Sequence, residues 1–160
     1  MNRDVGFLTN IDMMELIPGA AEAVRKINES GYLAIVVTNQ PAIARGDLSF
    51  TQLQEINNKL ETLLGKEGAY IDALYFCPHH PDRGFAGERS EYKTDCKCRK
   101  PKPGMLFQAS ADFNIDLSQS YMIGDSVRDI EAGQNAGCKE SKQISTLSTL
   151  YDFIKTELHL

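Results

Sequence analysis

Three of the four cysteines and two of the three histidines of this chain fall within residues 77–98, a stretch with no hydrophobic period of its own. Cys77-Pro78-His79-His80 opens it and Cys96-Lys97-Cys98 closes it. Residues 78–103 are rich in turn formers and charge, and a loop of that length in a small domain is uncommon unless functional or stapled. Three thiolates and one imidazole make a closed tetrahedral set suited to zinc. With no export signal in the sequence, the pattern reads as metal binding before it reads as a disulfide framework. His79 is the better fourth ligand than His80, because Cys-x-His mirrors Cys-x-Cys. A site with four protein ligands has no open position, so the zinc is expected to be structural. The bland alternative is four unrelated residues in a polar loop. Cys138 stands apart and reads as a small buried residue.

The rest of the chain alternates short apolar runs with helical periods. Pro18-Gly19 starts a helical stretch with Ala20, Val24 and Ile27 on one face, and Gly31 closes it. Tyr32 to Val37 reads as a strand buried on both faces. A loop then runs to Phe50. Thr51 to Lys66 is the clearest helix, with Leu53, Ile56, Leu60, Leu63 and Leu64 inward. Ala73 to Phe76 is a second strand. Pro103 sits in the first turn of a helix that places Met105, Leu106, Ala109 and Phe113 inward. Tyr121 to Ile123 is a third strand, followed by a helix from Arg128 to Ala136. A last amphipathic helix carries Leu147, Leu150, Tyr151, Ile154 and Leu158. This order predicts one α/β domain over residues 1–160, a three-layer Rossmann-like fold with a parallel sheet, whose ligand lies at the carboxyl ends of the strands.

Three further segments carry chemistry. Thr38 follows a strand, where a hydroxyl and backbone N–H groups can bind a phosphate oxygen, although Thr-Asn there is also ordinary turn chemistry. Arg99-Lys100-Pro101-Lys102-Pro103 is a stiff basic run before a helix N-terminus, which suits an anion; a solvated basic loop is the even alternative. Asp125 ends the third strand with Asp129 four residues on, a plausible magnesium arrangement that competes with a helix cap. The net charge of −5 argues against a broad nucleic-acid surface. No apolar run approaches a membrane span, and no signal pattern opens the chain, so a cytoplasmic protein is expected.

VVTNQ (36–40), IARG (43–46), CPHHP (77–81), CKCRKPKPGM (96–105) and MIGDSVRDIEAGQNAG (122–137), in this order, resemble the zinc-containing haloacid dehalogenase phosphatases. The IARG segment favours the branch acting on heptose bisphosphates over its sister, the histidinol-phosphate phosphatases. The resemblance spans nearly all of residues 6 to 138. It implies a magnesium-dependent phosphomonoesterase that removes the 7-phosphate of D-glycero-D-manno-heptose 1,7-bisphosphate through an aspartyl-phosphate. It implies that Thr38 and Lys100 hold the phosphoryl group, that Asn39, Arg45 and Arg99 also contact substrate, and that Asp125 binds magnesium with Asp129 in support. Cys77, His79, Cys96 and Cys98 match the zinc ligands. The implied partner is a small phosphorylated sugar, with no nucleic acid or membrane, and the chain is expected to be a monomer.

The match breaks at the N-terminus. The family's nucleophile lies in an Asp-x-Asp-Gly-Thr motif, where this chain has Asn2-Arg3-Asp4-Val5-Gly6. Gly6-Phe7-Leu8, Ile11-Asp12 and Ile17-Pro18-Gly19 resemble the segment just after that motif, so the register places the nucleophile before Met1. The expectation is therefore a domain lacking its first, central strand and both catalytic Asp residues. About five buried apolar side chains at ~1.5–3 kcal/mol each would be absent, comparable to a whole domain's stability of ~5–15 kcal/mol. The far end departs as well: Lys139 to Gln143 is polar where the family shows an apolar strand. Three readings stay open. The chain is a phosphatase short of its first strand, a non-catalytic sugar-phosphate binder, or a histidinol-phosphate phosphatase of the same architecture.

Overall fold

A computed structural model describes residues 8–145 and 147–157. Six α-helices and four strands are present among them: α1 (Ala20–Glu29), β1 (Ile35–Asn39), α2 (Pro41–Arg45), α3 (Phe50–Lys66), β2 (Ala73–Cys77), α4 (Gly104–Phe113), β3 (Tyr121–Gly124), α5 (Val127–Ala136), β4 (Glu140–Gln143) and α6 (Leu147–Glu157). β1 pairs with β2, and β3 with β4, both parallel. The register of the first pair sets Thr38 beside Phe76 and Asn39 beside Cys77, so the expected phosphate and zinc residues start from the same strand ends.

Successive side chains of a strand point to opposite faces, and β2 shows what each face meets. Leu74 and Phe76 pack against the main core, in which Val24 of α1, Ile43 of α2 and Leu53, Ile56, Leu60 and Leu64 of α3 are buried. On the other face the Tyr75 hydroxyl donates to Asp112 Oδ2 of α4 at 2.7 Å. The 53-56-60-64 spacing is the inner stripe of a helix. Ser49 starts that helix with a capping box, its hydroxyl accepting from Gln52 N while Gln52 Oε1 accepts from Ser49 N. At Gly133 of α5 a Cβ would stand 2.5 Å from Met122 Cβ and 2.3 Å from Ser141 Oγ, so glycine lets α5 lie directly on β3 and β4.

Several expectations are corrected. The first strand covers Ile35–Asn39, not Tyr32–Val37; Tyr32 and Leu33 are 40% and 47% exposed. It is half-buried along its length and not buried on both faces. The reason is its second edge. Ala34 O and Gln40 N bond toward the β2 side, to Asp72 N and Cys77 O. By alternation the main-chain groups of Ile35, Val37 and Asn39 point the other way. Likewise Ser120 O and Gly124 O accept from Lys139 N and Ile144 N, which turns Tyr121 and Ile123 away from β4. Among the described residues no strand pairs with either of these edges.

The loop before Phe50 contains α2, because Pro41 presets the first helical turn and Pro41 to Ala44 are buried. Pro103 takes the cap position of α4, not its first turn, and Phe113 is exposed, not inward. The polar run Glu140–Gln143 is a strand after all: at the sheet edge its main chain pairs with β3 and its last two side chains face solvent. Cys138 is only partly buried. Leu158 and the Asn2-to-Gly6 segment, including Asp4, lie outside the described residues, as does Phe7.

Candidate active site and metal centre

The turn after β2 and the return before α4 bring Cys77, His79, Cys96 and Cys98 together, with all four ligand atoms within 4.8 Å of one another. Cys77 Sγ stands 2.9 Å from Cys98 Sγ, 3.4 Å from Cys96 Sγ and 3.5 Å from His79 Nδ1. His79 Nδ1 is 3.3 Å from Cys98 Sγ. Tetrahedral thiolates at a Zn–S length of about 2.3 Å span about 3.7 Å, so small outward movements accommodate the ion. The donor set fits zinc, and its chemistry there is structural, since every position is filled by protein. Burial pushes the Cys77 thiol up, followed in effect by its hydrogen bond with Cys98, and a divalent cation is what would hold such a thiol deprotonated.

His80 turns away from this cluster. Its Nδ1 accepts from the Asp82 amide at 3.2 Å, and its Nε2 lies 3.4 Å from an Arg45 Nη. Burial, then the charges of Arg99 and Arg45, push its pKa down. The loop beyond it has a polar centre that the sequence did not announce. Lys93 Nζ is fully buried, 3.3 Å from Glu88 Oε2, and donates to Asp82 O. Glu88 Oε2 in turn accepts from Gly84 N and Phe85 N. This loop rests on α2, where Arg89 N donates to Ala44 O at 2.9 Å. Gly46 closes α2 at φ 82°, and a Cβ there would lie 2.0 Å from Gly87 O, so only glycine admits the contact.

After Cys98 the chain returns to the end of β1. Asn39 binds the main chain of Lys100 twice: its Oδ1 accepts from Lys100 N at 3.0 Å, and its Nδ2 donates to Lys100 O at 3.1 Å. The peptide bond that follows, Lys100–Pro101, is cis. Lys100 Nζ then donates to Val37 O of β1 at 2.7 Å and stands 2.6 Å from Asp129 Oδ1 of α5. One ammonium thus joins β1 to α5, the helix that follows β3. Asp129 Oδ2 accepts from Ser126 N at 3.0 Å, completing a capping box with Ser126, which accepts from Arg128 N. Both Asp129 oxygens are therefore engaged within the protein.

The other expected residues are placed as follows. Thr38 is the last residue but one of β1, and its Oγ1 accepts from Gln40 Nε2 at 3.4 Å. Asp125 follows β3 and is exposed, its main-chain oxygen accepting from Gln143 Nε2 at 2.8 Å. Ser126, not Asp125, caps α5. Arg99 donates to His79 O at 3.1 Å, and burial, then the charge of Arg128, lowers its pKa. Arg45 lies between His80 and Phe85, with its guanidinium carbon 4.5 Å from the Phe85 ring centre.

Curated relatives identify the family. A D-glycero-beta-D-manno-heptose-1,7-bisphosphate 7-phosphatase of Pasteurella multocida is 40% identical over 146 residues, covering 91% of this chain and 77% of that protein. This chain belongs to the heptose bisphosphate phosphatases. The enzyme of that name from Escherichia coli K12 is 38% identical over 87% of this chain and 72% of its own length. Residues 97–140, which carry Lys100, Asp125 and Asp129, match the HAD-hydrolase-like family, that is, the haloacid dehalogenase group. The solved D,D-heptose 1,7-bisphosphate phosphatase of B. bronchiseptica, complexed with magnesium and phosphate, superposes with a TM-score of 0.74. It is 33% identical, and the match covers 86% of this chain and 71% of that one. A haloacid dehalogenase-like phosphatase from Mesorhizobium loti gives a TM-score of 0.88 at 26% identity over 99% of this chain and 81% of its own. The α/β fold with its parallel strands is thus that of the heptose bisphosphate phosphatases. No helix among the described residues is long and apolar enough to cross a membrane.

Proposed function

We propose that residues 1–160 form one phosphatase domain that binds the 7-phosphate of D-glycero-D-manno-heptose 1,7-bisphosphate for hydrolysis, with the β anomer preferred as in the names of its relatives. The observation that carries this reading is the placement of Lys100 Nζ between Val37 O of β1 and Asp129 Oδ1 of α5, the helix that follows β3. Magnesium, when bound, neutralises charge on the phosphoryl oxygens. Asp125 is the exposed carboxylate that would hold it. Asp129 supports the metal site indirectly, by fixing Lys100. The Thr38 hydroxyl, already accepting from Gln40, donates a hydrogen bond to a phosphoryl oxygen. Asn39 aims Lys100 through its main chain, while Arg45 and Arg99 meet the rest of the substrate.

The sequence holds no Asp-x-Asp-Gly-Thr run, so the aspartyl-phosphate step needs residues beyond those it supplies. The edges of β1 and β3 that pair with no strand among the described residues support a parallel strand between them as the carrier of that motif. Asp125 does not take its place, because a carboxylate facing a metal does not attack phosphorus in line. The reading also takes the protein to be a cytoplasmic monomer without nucleic-acid partners.

The test is phosphate release from the α and β bisphosphates and from histidinol phosphate. The chain alone and the chain extended by a strand ending in Asp-x-Asp-Gly-Thr are assayed side by side with magnesium. Turnover of the β bisphosphate by the extended chain alone is expected. Robust turnover by the short chain, abolished in Asp4→Asn, overturns the placement of the nucleophile. Bisphosphate binding without release by either chain assigns the protein a binding role instead.

A further inference from the structure

Phe85 is a partly exposed aromatic in an otherwise polar loop, and three contacts fix its position. Its amide donates to Glu88 Oε2 at 3.0 Å, Lys93 Nζ lies 4.6 Å from its ring centre, and the His80 ring meets it edge-on at 6.0 Å. The Arg45 guanidinium carbon stands 4.5 Å from the same ring centre. A guanidinium over an aromatic face is held both by the ring quadrupole and by contact area. Arg45 belongs to α2, whereas Phe85 belongs to the loop that Cys77, His79, Cys96 and Cys98 enclose. Arg89 N on Ala44 O and Gly87 on Gly46 dock the two segments against each other.

We propose that Phe85 is a positioning residue for substrate, which holds the Arg45 guanidinium in the orientation that receives the anionic sugar phosphate beyond the reacting phosphoryl group. This rests on the reading above that Arg45 lines the substrate pocket. The physical case is that an arginine side chain has several rotatable bonds, and each that is frozen in advance is not frozen at binding. The ring against one side and His80 against another restrict those bonds. The zinc-stapled loop then has a consequence for specificity: it delivers the aromatic surface against which Arg45 is set.

Titration calorimetry with heptose 1,7-bisphosphate and, separately, inorganic phosphate tests this in Phe85→Leu, Phe85→Tyr, Arg45→Gln and the Phe85→Leu/Arg45→Gln double variant. Zinc content verifies that each variant keeps its loop. In Phe85→Leu the bisphosphate-to-phosphate affinity ratio is expected to fall about three- to ten-fold. Phe85→Tyr restores it, and Phe85→Leu has no further effect once Arg45 is Gln. The Arg45 side-chain proton resonances lose their ring-current shift in Phe85→Leu. If Arg45→Gln leaves the ratio intact, the placement of Arg45 in the pocket is wrong and the proposal falls with it. If Arg45→Gln lowers the ratio but Phe85→Leu does not, the proposal alone is overturned.

Discussion

Lys100 Nζ and Asp129 Oδ1 stand 2.6 Å apart, with side chains only 12% and 9% exposed. A pair this far from water is costly to break from one side, because the remaining charge is left without its partner; such losses run to about 3–5 kcal/mol. Asp129→Asn is expected to lose stability on that scale and to weaken phosphate binding. It should spare the helix start, since an amide oxygen can still accept from Ser126 N. Urea unfolding combined with phosphate titration measures both effects. An unchanged midpoint together with unchanged phosphate affinity would show that the pair does not organise the site.

The metal cluster predicts one equivalent of zinc per chain, lost in Cys96→Ser. Structural zinc carries ~10–16 kcal/mol of apparent binding free energy in small sites, so its removal by a strong chelator should lower the melting temperature and expose residues 78–103 to protease. His80→Ala should keep the zinc, because that ring bonds to Asp82 and not to the thiols. Elemental analysis showing zinc lost from His80→Ala but retained in His79→Ala would reverse the ligand assignment.

Gly133→Ala is expected to destabilise by about 1–3 kcal/mol through overpacking, since its Cβ would stand 2.5 Å from Met122 Cβ. Gly65→Ala on α3, where nothing lies within 4 Å of the added carbon, should instead be stabilising by up to about 1 kcal/mol. Thermal melts of the two variants, run in parallel, test the packing of α5 on β3. Equal shifts in one direction would mean that the helix does not lie where the structure puts it.

Adding a strand that pairs with β1 and β3 should protect main-chain amides along the two edges that now pair with none of the described strands. The Val37 and Ile123 amides are expected to slow in hydrogen exchange far more than that of Val36, which points toward β2. Exchange unaltered at Val37 and Ile123 in an otherwise folded, extended chain would place the added strand elsewhere.

The zinc set could be read directly from sequence, because ligand type and the Cys-x-His and Cys-x-Cys spacings are local properties that survive whatever the rest of the chain does. The same holds for α3, whose 53-56-60-64 stripe and Ser49 cap specify a helix before any partner is known. The positions of Thr38 near the end of a strand, of Asp125 just after one and of Lys100 in a stiff basic run were likewise legible.

What they do in space was not legible, for a physical reason: each depends on groups far away in the chain. Lys100 is aimed by Asn39, 61 residues distant, and held by Val37, 63 residues distant. Asp129 read as acidic support for magnesium; that its oxygens also meet a local cap and Lys100 is a matter of the fold. The strand at Glu140–Gln143 is invisible to hydropathy, since an edge strand is stabilised by pairing its backbone with β3 and not by burying its side chains. Phe85 carried no signal beyond being aromatic. Only the docking of a zinc-stapled loop on α2 sets it against Arg45.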